Sequence, residues 1–282
     1  MGVKANFDHI YDLEDPRDYY NVLSGLGYQA PEHGSSMFAG FLEARGDGGR
    51  TSKVVDLCCS YGVNAALLKY DLGLDDLYAR YGDDGLAGLS SDELAETDAV
   101  FYEDHAVDGP PRVVGVDVAG NAVSYARRVG LLDDGFATDL EKEEPPEDLR
   151  SAVAGADLVT VTGGIGYVWT NTFDRVLSCF DDDNAPWVAT LPLRMVDYEP
   201  IATTLSNHGL VTEKLPARTF PQRRFVDDRE KEHVLRELQN AGFDTDEKED
   251  TGWYHSELYL SRPAAEAART PLQELPVVAG AA

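Results

Sequence analysis

A short apolar run that leads straight into a tight loop constrains the fold of this chain more than any other feature. Residues 54–57 hold three apolar side chains and Asp56, and residues 58–62 form a loop that ends at Gly62. A helical pattern of Ala and Leu then begins at residue 65. A strand, a tight loop and a helix start in this order present backbone N–H groups to a nucleotide-like ligand. Many folds contain this unit, so it gains weight only from matching strands and helices later in the chain.

Further β-branched runs recur at the spacing of a layered sheet. They cover residues 54–57, 113–116, 136–137, 158–162 and 187–193, and helical patterns lie between them. None alternates between apolar and polar residues, which is typical of parallel strands buried on both faces. The sequence therefore predicts an α/β fold, doubly wound around a mostly parallel seven-stranded sheet. We expect residues 243–250 and 253–261 to pair as a C-terminal antiparallel β-hairpin.

Three segments are predicted along the chain. Residues 1–50 form an N-terminal helical cap, residues 51–262 form the main domain, and residues 263–282 form a tail rich in Ala and Pro that we expect to be disordered. The stretch 71–111 is too long for a single crossover between two strands, so we expect a helical insertion there.

The charge balance argues against one class of partner. The chain of 282 residues carries 51 acidic and 24 basic residues, which gives a net charge of -27. A phosphate backbone would be repelled by such a surface, so nucleic acid is not an expected partner. The composition is similar to that of proteins from salt-adapted organisms, in which dissolved salt screens the self-repulsion of the surface.

The rest of the composition narrows the expected environment. No apolar run reaches the length of a membrane-spanning helix, and the first residues lack the apolar segment of a signal peptide. Three cysteines do not form a disulfide framework, and His and Cys are not clustered as in a zinc site. We therefore expect a cytoplasmic protein with no metal and no membrane partner. The sequence is silent about its oligomeric state.

The order of the elements resembles that of the class I S-adenosylmethionine (SAM)-dependent methyltransferases over about residues 50–262. The resemblance implies SAM as the cofactor and S-adenosylhomocysteine (SAH) as its product. In that family the first motif holds an acid and three glycines. Asp56 and Gly62 match the acid and the last glycine, whereas Cys58 and Ser60 stand at the other two glycine positions. Both substitutes are small, so part of the close backbone approach is kept.

Two more acids match the cofactor motifs of that family. Asp117, at the end of the second strand, matches the acid that binds both ribose hydroxyls, which is a charge-assisted contact. Asp139 matches the acid that accepts a hydrogen bond from the adenine amino group. The neighbours of these acids and the residues after the fourth strand complete the implied cofactor site: Val118, Thr138, Leu140, Thr162, Gly163 and Gly164. The last stretch lacks the Asn-Pro-Pro-Tyr form that is used on amino groups of bases and Gln, which argues against that subclass.

Aromatic residues are the candidates for contact with the methyl acceptor. Tyr11, Tyr19 and Tyr20 lie in the N-terminal segment, and Tyr167 follows the glycines after the fourth strand. Each alone is more often a core residue, but as a group they indicate a lid over a small, partly apolar molecule. The sequence therefore predicts a small-molecule substrate.

Three basic residues are candidates for more specific roles. Arg223 and Arg224 stand out in an acidic chain, and their guanidinium groups suit a carboxylate or phosphate on the substrate. His33 is the candidate general base, because an imidazole titrates near neutral pH and can take a proton from the acceptor.

The predicted function is methyl transfer from SAM to an O, N or C atom of a small metabolite. One alternative is a diverged SAM-binding protein or subunit with a structural, regulatory or non-methylating role, because the altered glycines and the insertion allow it. Another is a dinucleotide oxidoreductase, whose fingerprint needs Gly-x-Gly-x-x-Gly and an acid about 20 residues later. The first glycines of that fingerprint are missing here, and Asp117 lies 55 residues after Gly62 (117 − 62).

Overall fold

A twisted sheet with helices on both faces organises the chain. The computed structural model describes residues 7–46, 49–181 and 184–279. Within them, seven strands form one sheet in the order β3-β2-β1-β4-β5-β9-β6, and two strands form a separate pair, β7-β8. The strands are β1 Lys53–Leu57, β2 Arg112–Asp117, β3 Asp134–Ala137, β4 Leu158–Thr162, β5 Trp187–Leu191, β6 Leu210–Lys214, β7 Phe220–Arg224, β8 Trp253–Ser256 and β9 Tyr259–Pro263.

Helices separate most of the strands. They are α1 Asp8–Tyr11, α2 Arg17–Gly25, α3 Ala30–Arg45, α4 Val63–Lys69, α5 Leu74–Tyr81, α6 Ser91–Asp104, α7 Gly120–Arg128, α8 Glu147–Val153, α9 Thr170–Leu177, α10 Glu199–Asn207, α11 Asp228–Asn240, α12 Ala264–Arg269 and α13 Pro276–Ala279. Local sequence explains several of their starts. Ser90 and Glu93 form a capping box at α6, and the Asp227 side chain accepts a hydrogen bond from the N–H of Glu230 at α11. None of the helices within the described ranges has the length and apolar character that a membrane crossing requires.

Two apolar cores, one on each face, hold the sheet between its helices. Strands β1 to β5 are parallel, and β9 pairs antiparallel with both β5 and β6. Successive residues of β1 point to opposite faces, so Val54 lies in the core with α3 and α7 while Val55 lies in the core with α9 and α10. Both side chains are fully buried. This two-sided burial confirms the prediction of a doubly wound, mostly parallel seven-stranded sheet with antiparallel pairing near its C-terminus.

The partners in that antiparallel pairing differ from the expected hairpin. Within residues 243–250 the chain forms turns and one short 3-10 segment instead of a strand. β8 pairs with β7, and β9 enters the main sheet between β5 and β6. Leu260 of β9 is fully buried, because a strand inside the sheet has neighbours on both sides and cores on both faces.

The tail differs from the expectation over its described part. Residues 264–279 form α12, a short 3-10 turn and α13. Leu272 and Leu275 are buried in the core on the α3 side, and the N–H of Leu272 donates to the Glu213 carboxylate at 2.7 Å. Apolar residues spaced among the alanines thus hold this segment in place, and the prediction of disorder is wrong for it. Residues 280–282 lie outside the described residues. The division into a cap, residues 1–50, and a main domain stays a prediction.

Candidate functional site

The main cavity lies at the carboxyl ends of the central parallel strands. Its volume is about 410 Å³, within the range of small-ligand sites. In open α/β sheets, ligands bind at this edge, outside the carboxyl ends of the strands. The lining residues come from the N-terminal segment and from the loops after β1, β2, β3 and β4: Tyr11, Asp12, Tyr19, Tyr28, Leu57, Cys58, Ser60, Val116, Asp117, Val118, Ala119, Thr138, Asp139, Leu140, Glu141, Thr162, Gly163, Gly164, Tyr167, Val168 and Thr172.

The loop after β1 keeps the backbone shape that glycines would give it. Cys58 and Ser60 have φ angles of 56° and 47°, and Gly62 has φ of 78°. These angles lie in the left-handed region that L side chains rarely adopt. The loop also presses against the one after β4, because a Cβ on Gly164 would lie 2.7 Å from Cβ of Cys58. The substitutions at two glycine positions therefore leave the loop shape intact and store backbone strain in it.

Asp117 occupies the tip of β2 with part of its hydrogen-bonding capacity open. Its carboxylate accepts hydrogen bonds from the backbone N–H of Ser60 at 2.8 Å and of Ala119 at 3.0 Å. A carboxylate offers about four acceptor positions, so about two remain for a ligand in the cavity. Burial raises the pKa of Asp117, and the backbone N–H groups of Ala119, Ser60 and Val118 oppose that shift.

The loops after β2 and β3 form a rim with apolar side chains and with the acids Asp139 and Glu141. Val118 is 67% exposed beside Asp117, and Leu140 is buried next to Asp139. The Asp139 carboxylate lies 2.7 Å from Nζ of Lys142, and that hydrogen bond lowers the pKa of Asp139. Backbone pairing of Thr138 to the carbonyl of Asp117, at 2.9 Å, joins the two loops. The rim offers apolar surface for a flat ring and a carboxylate at its edge.

The loop after β4 brings two glycines to the cavity. Gly163 has φ of 69°, and a Cβ there would lie 2.6 Å from the hydroxyl oxygen of Tyr28. Any side chain at Gly163 would therefore push into the space that Tyr28 closes. Thr162, which ends β4, also lines the cavity, and its hydroxyl pairs with the Asn64 carboxamide at about 3 Å.

Asp56 lies behind the cavity and not in its lining, which corrects its expected contact with the cofactor. The side chain is fully buried, and Asn64 and Thr160 each donate a hydrogen bond to its Oδ1 at 2.8 Å. Burial raises the pKa of Asp56 to about 7, while those two donors oppose the shift. Asp56 therefore joins β1 to β4 and to the helix below the loop. Gly62 does not line the cavity either. It packs against the core instead, where a Cβ on Gly62 would lie 3.1 Å from Cβ of Leu131.

Tyrosine side chains from three segments meet over the cavity. Tyr11, Tyr19, Tyr28 and Tyr167 line it, and the rings of Tyr11 and Tyr19 contact edge to face, with centroids 5.7 Å apart. The hydroxyls of Tyr11, Tyr19 and Tyr28 form no hydrogen bond with the described residues. Burial raises the pKa of each of these three phenols, so they stay protonated at neutral pH. We call these four side chains the tyrosine cluster.

Tyr20 does not belong to this cluster, contrary to expectation. Its ring stacks on that of Tyr81, with centroids 4.4 Å apart and planes 8° from parallel. It is 1% exposed and packs from α2 against Tyr78 and Tyr81 of α5. Adjacent residues on a helix point about 100° apart, so Tyr19 and Tyr20 cannot both face one cavity.

The two candidate arginines serve the fold instead of the cavity. Both terminal nitrogens of Arg223 contact the Glu230 carboxylate, at 3.0 and 2.8 Å, and both residues are buried. The Arg224 guanidinium lies 4.6 Å from the centroid of the Trp253 ring, and the residue is exposed. Neither residue lines the cavity. The sequence does not indicate that Arg223 pairs with Glu230, because Glu230 lies in the first turn of the next helix, α11.

His33 is also absent from the cavity lining. It lies on α3, where its ring contacts that of Phe220, with centroids 5.5 Å apart. Burial lowers the pKa of His33. The expected general base is therefore not placed beside the cavity, and none of the Lys, Arg or His residues in the described ranges lines it.

Several lining residues had little signal in the sequence. Glu141 accepts hydrogen bonds from the backbone N–H groups of Trp169 and Thr172, at 2.6 and 2.9 Å, and so holds the loop after β4 against that after β3. Its position two residues after Asp139 was the available clue.

Within the described ranges, His, Cys, Asp and Glu do not form a group of three that could hold a metal ion.

Comparisons with known proteins add similarities of fold. No protein-family model and no curated protein sequence matches the chain. Among solved structures, a TehB-like SAM-dependent methyltransferase from Corynebacterium glutamicum is 11% identical with a TM-score of 0.43, covering 86% of this chain and 94% of that one. The O-methyltransferase of a trans-AT PKS multienzyme of Brevibacillus brevis, in complex with SAH, is 11% identical with a TM-score of 0.40, covering 94% and 83%.

A third similar structure is magnesium protoporphyrin IX methyltransferase from Synechocystis PCC 6803 with bound SAM. It is 14% identical with a TM-score of 0.39, and the match covers 82% of this chain and 79% of that one. Similarities this distant carry no argument about substrate or activity.

Proposed function

We propose that this protein transfers a methyl group from SAM to a small molecule. The observation that carries the proposal is Asp117. It holds a carboxylate at the end of β2, fixed by two backbone N–H groups, with acceptor positions left open toward a cavity of about 410 Å³. A carboxylate in this place suits the two adjacent hydroxyls of a ribose, because charge-assisted hydrogen bonds are stronger than neutral ones.

The residues around the cavity fit the rest of the SAM molecule. The hydroxyl of Ser60 is buried at the cavity and has no hydrogen-bond partner, so a ligand atom would satisfy it. Gly163 and Gly164 have no side chain that could enter the cavity, and the absence of a Cβ lets Tyr28 and Cys58 pack directly against this loop. The apolar rim at Val118 and Leu140 suits an adenine ring.

Each group of residues has one role in this proposal. Asp117 binds the ribose, Asp139 accepts a hydrogen bond from the adenine amino group, and Val118 and Leu140 flank the adenine. Cys58, Ser60 and the residues 162–164 surround the methionine portion. Bound there, SAM would supply a methyl group already activated by its attachment to a sulfonium.

The tyrosine cluster would orient the acceptor and exclude water. Alignment of two reactants can supply several kcal/mol of the barrier reduction, so a methyl transfer site depends chiefly on placement. No imidazole, amine or guanidinium of the described residues lines the cavity. The best acceptors are therefore atoms that are nucleophilic when neutral or that lose a proton to solvent before the transfer.

A SAM-binding protein without transfer activity is the second candidate, favoured by Cys58 and Ser60 at two glycine positions. Both residues have left-handed φ angles, so the loop keeps the shape that glycines would give it, which favours cofactor binding. Whether the protein also transfers the methyl group is decided by measuring turnover. A dinucleotide oxidoreductase is the third candidate.

Ligand-induced stabilisation separates these candidates. A ligand at 100 times its Kd stabilises the folded state by about 2.7 kcal/mol. SAM and SAH should raise the melting temperature, and NAD and NADP should leave it unchanged. SAH release from SAM in the presence of an acceptor panel then distinguishes the transferase from a non-methylating binder. A shift with NAD or NADP alone would contradict the proposal, as would the absence of a shift with both SAM and SAH.

A further inference from the structure

The charge of the cavity lining is one-sided. Four carboxylate residues line it, namely Asp12, Asp117, Asp139 and Glu141, and none of the described Lys, Arg or His residues does. A site lined by one sign of charge repels ligands of the same sign and attracts those of the opposite sign. The carboxylate of SAM or SAH carries its own ammonium beside it, whereas an acceptor with an uncompensated carboxylate or phosphate would be repelled and would lose its hydration here, at a cost that no cation in the described lining offsets.

One described cation outside the lining, Arg223, acts on it without altering this balance. Arg223 lies close enough to Tyr11 to lower its pKa, against the larger effect of burial. Both terminal nitrogens of Arg223 are engaged by the Glu230 carboxylate, in a pair that is almost fully buried. The guanidinium is therefore neutralised by its own partner.

The aromatic lining supports the same choice. The face of a tyrosine ring carries negative charge density and attracts cations within about 6 Å of the ring centre, by about 0.5 to 2 kcal/mol. The tyrosine cluster brings four such rings to one cavity from the N-terminal helices, the α2–α3 loop and the loop after β4. Several rings around one small cavity favour a protonated amine over a neutral group of the same shape. The ammonium would lose its proton to solvent before its nitrogen lone pair bonds to the methyl carbon, while the bond from that carbon to the sulfonium breaks and SAH leaves.

A buried amide, that of Gln222, lies beside Gly163 and just outside the residues that line the cavity. The Gln222 side chain is 5% exposed, and its carboxamide forms no hydrogen bond with any described residue. Its Nε2 would lie 3.6 Å from a Cβ on Gly163, and the hydroxyl of Tyr28 would lie 2.6 Å from that same point. Two polar groups without a hydrogen bond to a described residue thus lie beside Gly163, where a ligand could pair with both. Since the O and N atoms of a carboxamide are assigned by their partners, Gln222 can offer its oxygen to an N–H group.

We propose that the methyl acceptor is an amine whose nitrogen binds between Tyr28 and Gln222 beside Gly163, within the tyrosine cluster. The inference rests on the proposed function, because it places the acceptor next to the methyl donor. Gln222 acts as a specificity-determining residue that accepts a hydrogen bond from the amine, and the carboxylates of the lining select against anions.

Matched probes test this inference on protein saturated with SAH. Calorimetric titrations would compare amine, alcohol and carboxylate forms of three skeletons: benzylamine, benzyl alcohol and benzoate, and the corresponding 2-phenylethyl and 2-(indol-3-yl)ethyl sets. We expect the amine to bind at least tenfold tighter than both of its matched forms in at least one set, and no carboxylate to bind tighter than its amine. Equal or tighter binding of alcohols or carboxylates in all three sets would overturn the inference, and so would the failure of every amine to bind.

Two variants locate the amine. Gln222→Met and Tyr28→Phe should each weaken binding of the preferred amine at least fivefold while SAH affinity changes less than twofold; Gln239→Met, at an exposed position on α11, is the matched control. Unchanged amine affinity in both variants would overturn the placement, and if one variant does not fold, the other decides.

Failure of the proposed function has a different signature. If the wild-type protein does not bind SAH, the proposed cofactor is wrong. The same amine series is then titrated against the free protein. The amine preference must still appear there, or the inference about the acceptor fails as well.

Discussion

Replacing Ser60 by glycine should stabilise the ligand-free protein. Ser60 holds φ of 47°, in the left-handed region, and its buried hydroxyl has no hydrogen-bond partner. The left-handed conformation costs an L residue about 1 to 2 kcal/mol, and an unsatisfied buried hydroxyl costs about 1 to 3 kcal/mol. Glycine removes both costs but adds about 0.5 to 1 kcal/mol of conformational entropy in the unfolded chain. The expected net gain for Ser60→Gly is therefore about 2 kcal/mol.

Urea and thermal unfolding without ligand, at fixed salt concentration, measure this gain. For a chain of this size the melting temperature should rise by about 5 °C, since 1 kcal/mol shifts it by roughly 2 to 4 °C. Ser60→Ala is the matched control, because it removes the unpaired hydroxyl but keeps a Cβ in the left-handed region. Its gain should be smaller than that of Ser60→Gly. A glycine variant no more stable than the wild type, or an alanine variant that equals it, would refute the reasoning.

Three further predictions concern the ion pair, the buried acid and the acidic surface. Arg223→Ala leaves Glu230 buried without this ion-pair partner and should cost about 3 to 5 kcal/mol of unfolding free energy, with unchanged SAH affinity; a tenfold loss of affinity would instead return Arg223 to the binding site. Because burial raises the pKa of Asp56 to about 7, above its unfolded value, its stabilising contribution is complete below about pH 4 and is lost as the pH rises through about 7. The stability of Asp56→Asn relative to the wild type should therefore increase from pH 5 to pH 8 in denaturation series, and a constant difference would argue against a raised pKa. Since the net charge is -27, raising KCl from about 0.1 to about 2 M should increase the melting temperature by several degrees, and no increase would remove the case for adaptation to salt.

The sheet and the acids Asp117 and Asp139 at the cavity were predictable because their signals are local. Strands such as β1 and β4 are runs of β-branched residues that only a two-sided core can bury, and their bounds agree with the expectation within a residue. The position of Asp117 follows from the same logic, because the acid directly ends a strand whose carboxyl end borders the ligand edge. Most of the residues expected at the cofactor site do line one cavity, as these local signals imply.

The wrong predictions for Asp56, Arg223 and His33 have one cause. Each of these side chains contacts a residue whose identity the local sequence does not indicate. Asp56 is a strand acid like Asp117, but its neighbours Asn64 and Thr160 turn it into a buried link between strands. Arg223 was a candidate because of its charge, but its ion pair with Glu230 does not follow from their separation in the sequence. His33 has the right chemistry for a base, yet the packing of α3 against Phe220 keeps it away from the cavity. Local sequence sets which residues end a strand, whereas tertiary packing decides which of them reach the ligand.

Calorimetric titration with SAH, on the wild type and on Asp117→Asn, tests the central claim most directly. The asparagine has the same shape but no charge, and hydrogen bonds to charged groups are worth about 1.5 to 3 kcal/mol. We predict that SAH binds the wild type with one site and that Asp117→Asn weakens it by about 10- to 100-fold. Asp108→Asn, at an exposed loop position, should change nothing. No binding to the wild type, or equal binding to wild type and Asp117→Asn, would contradict the account.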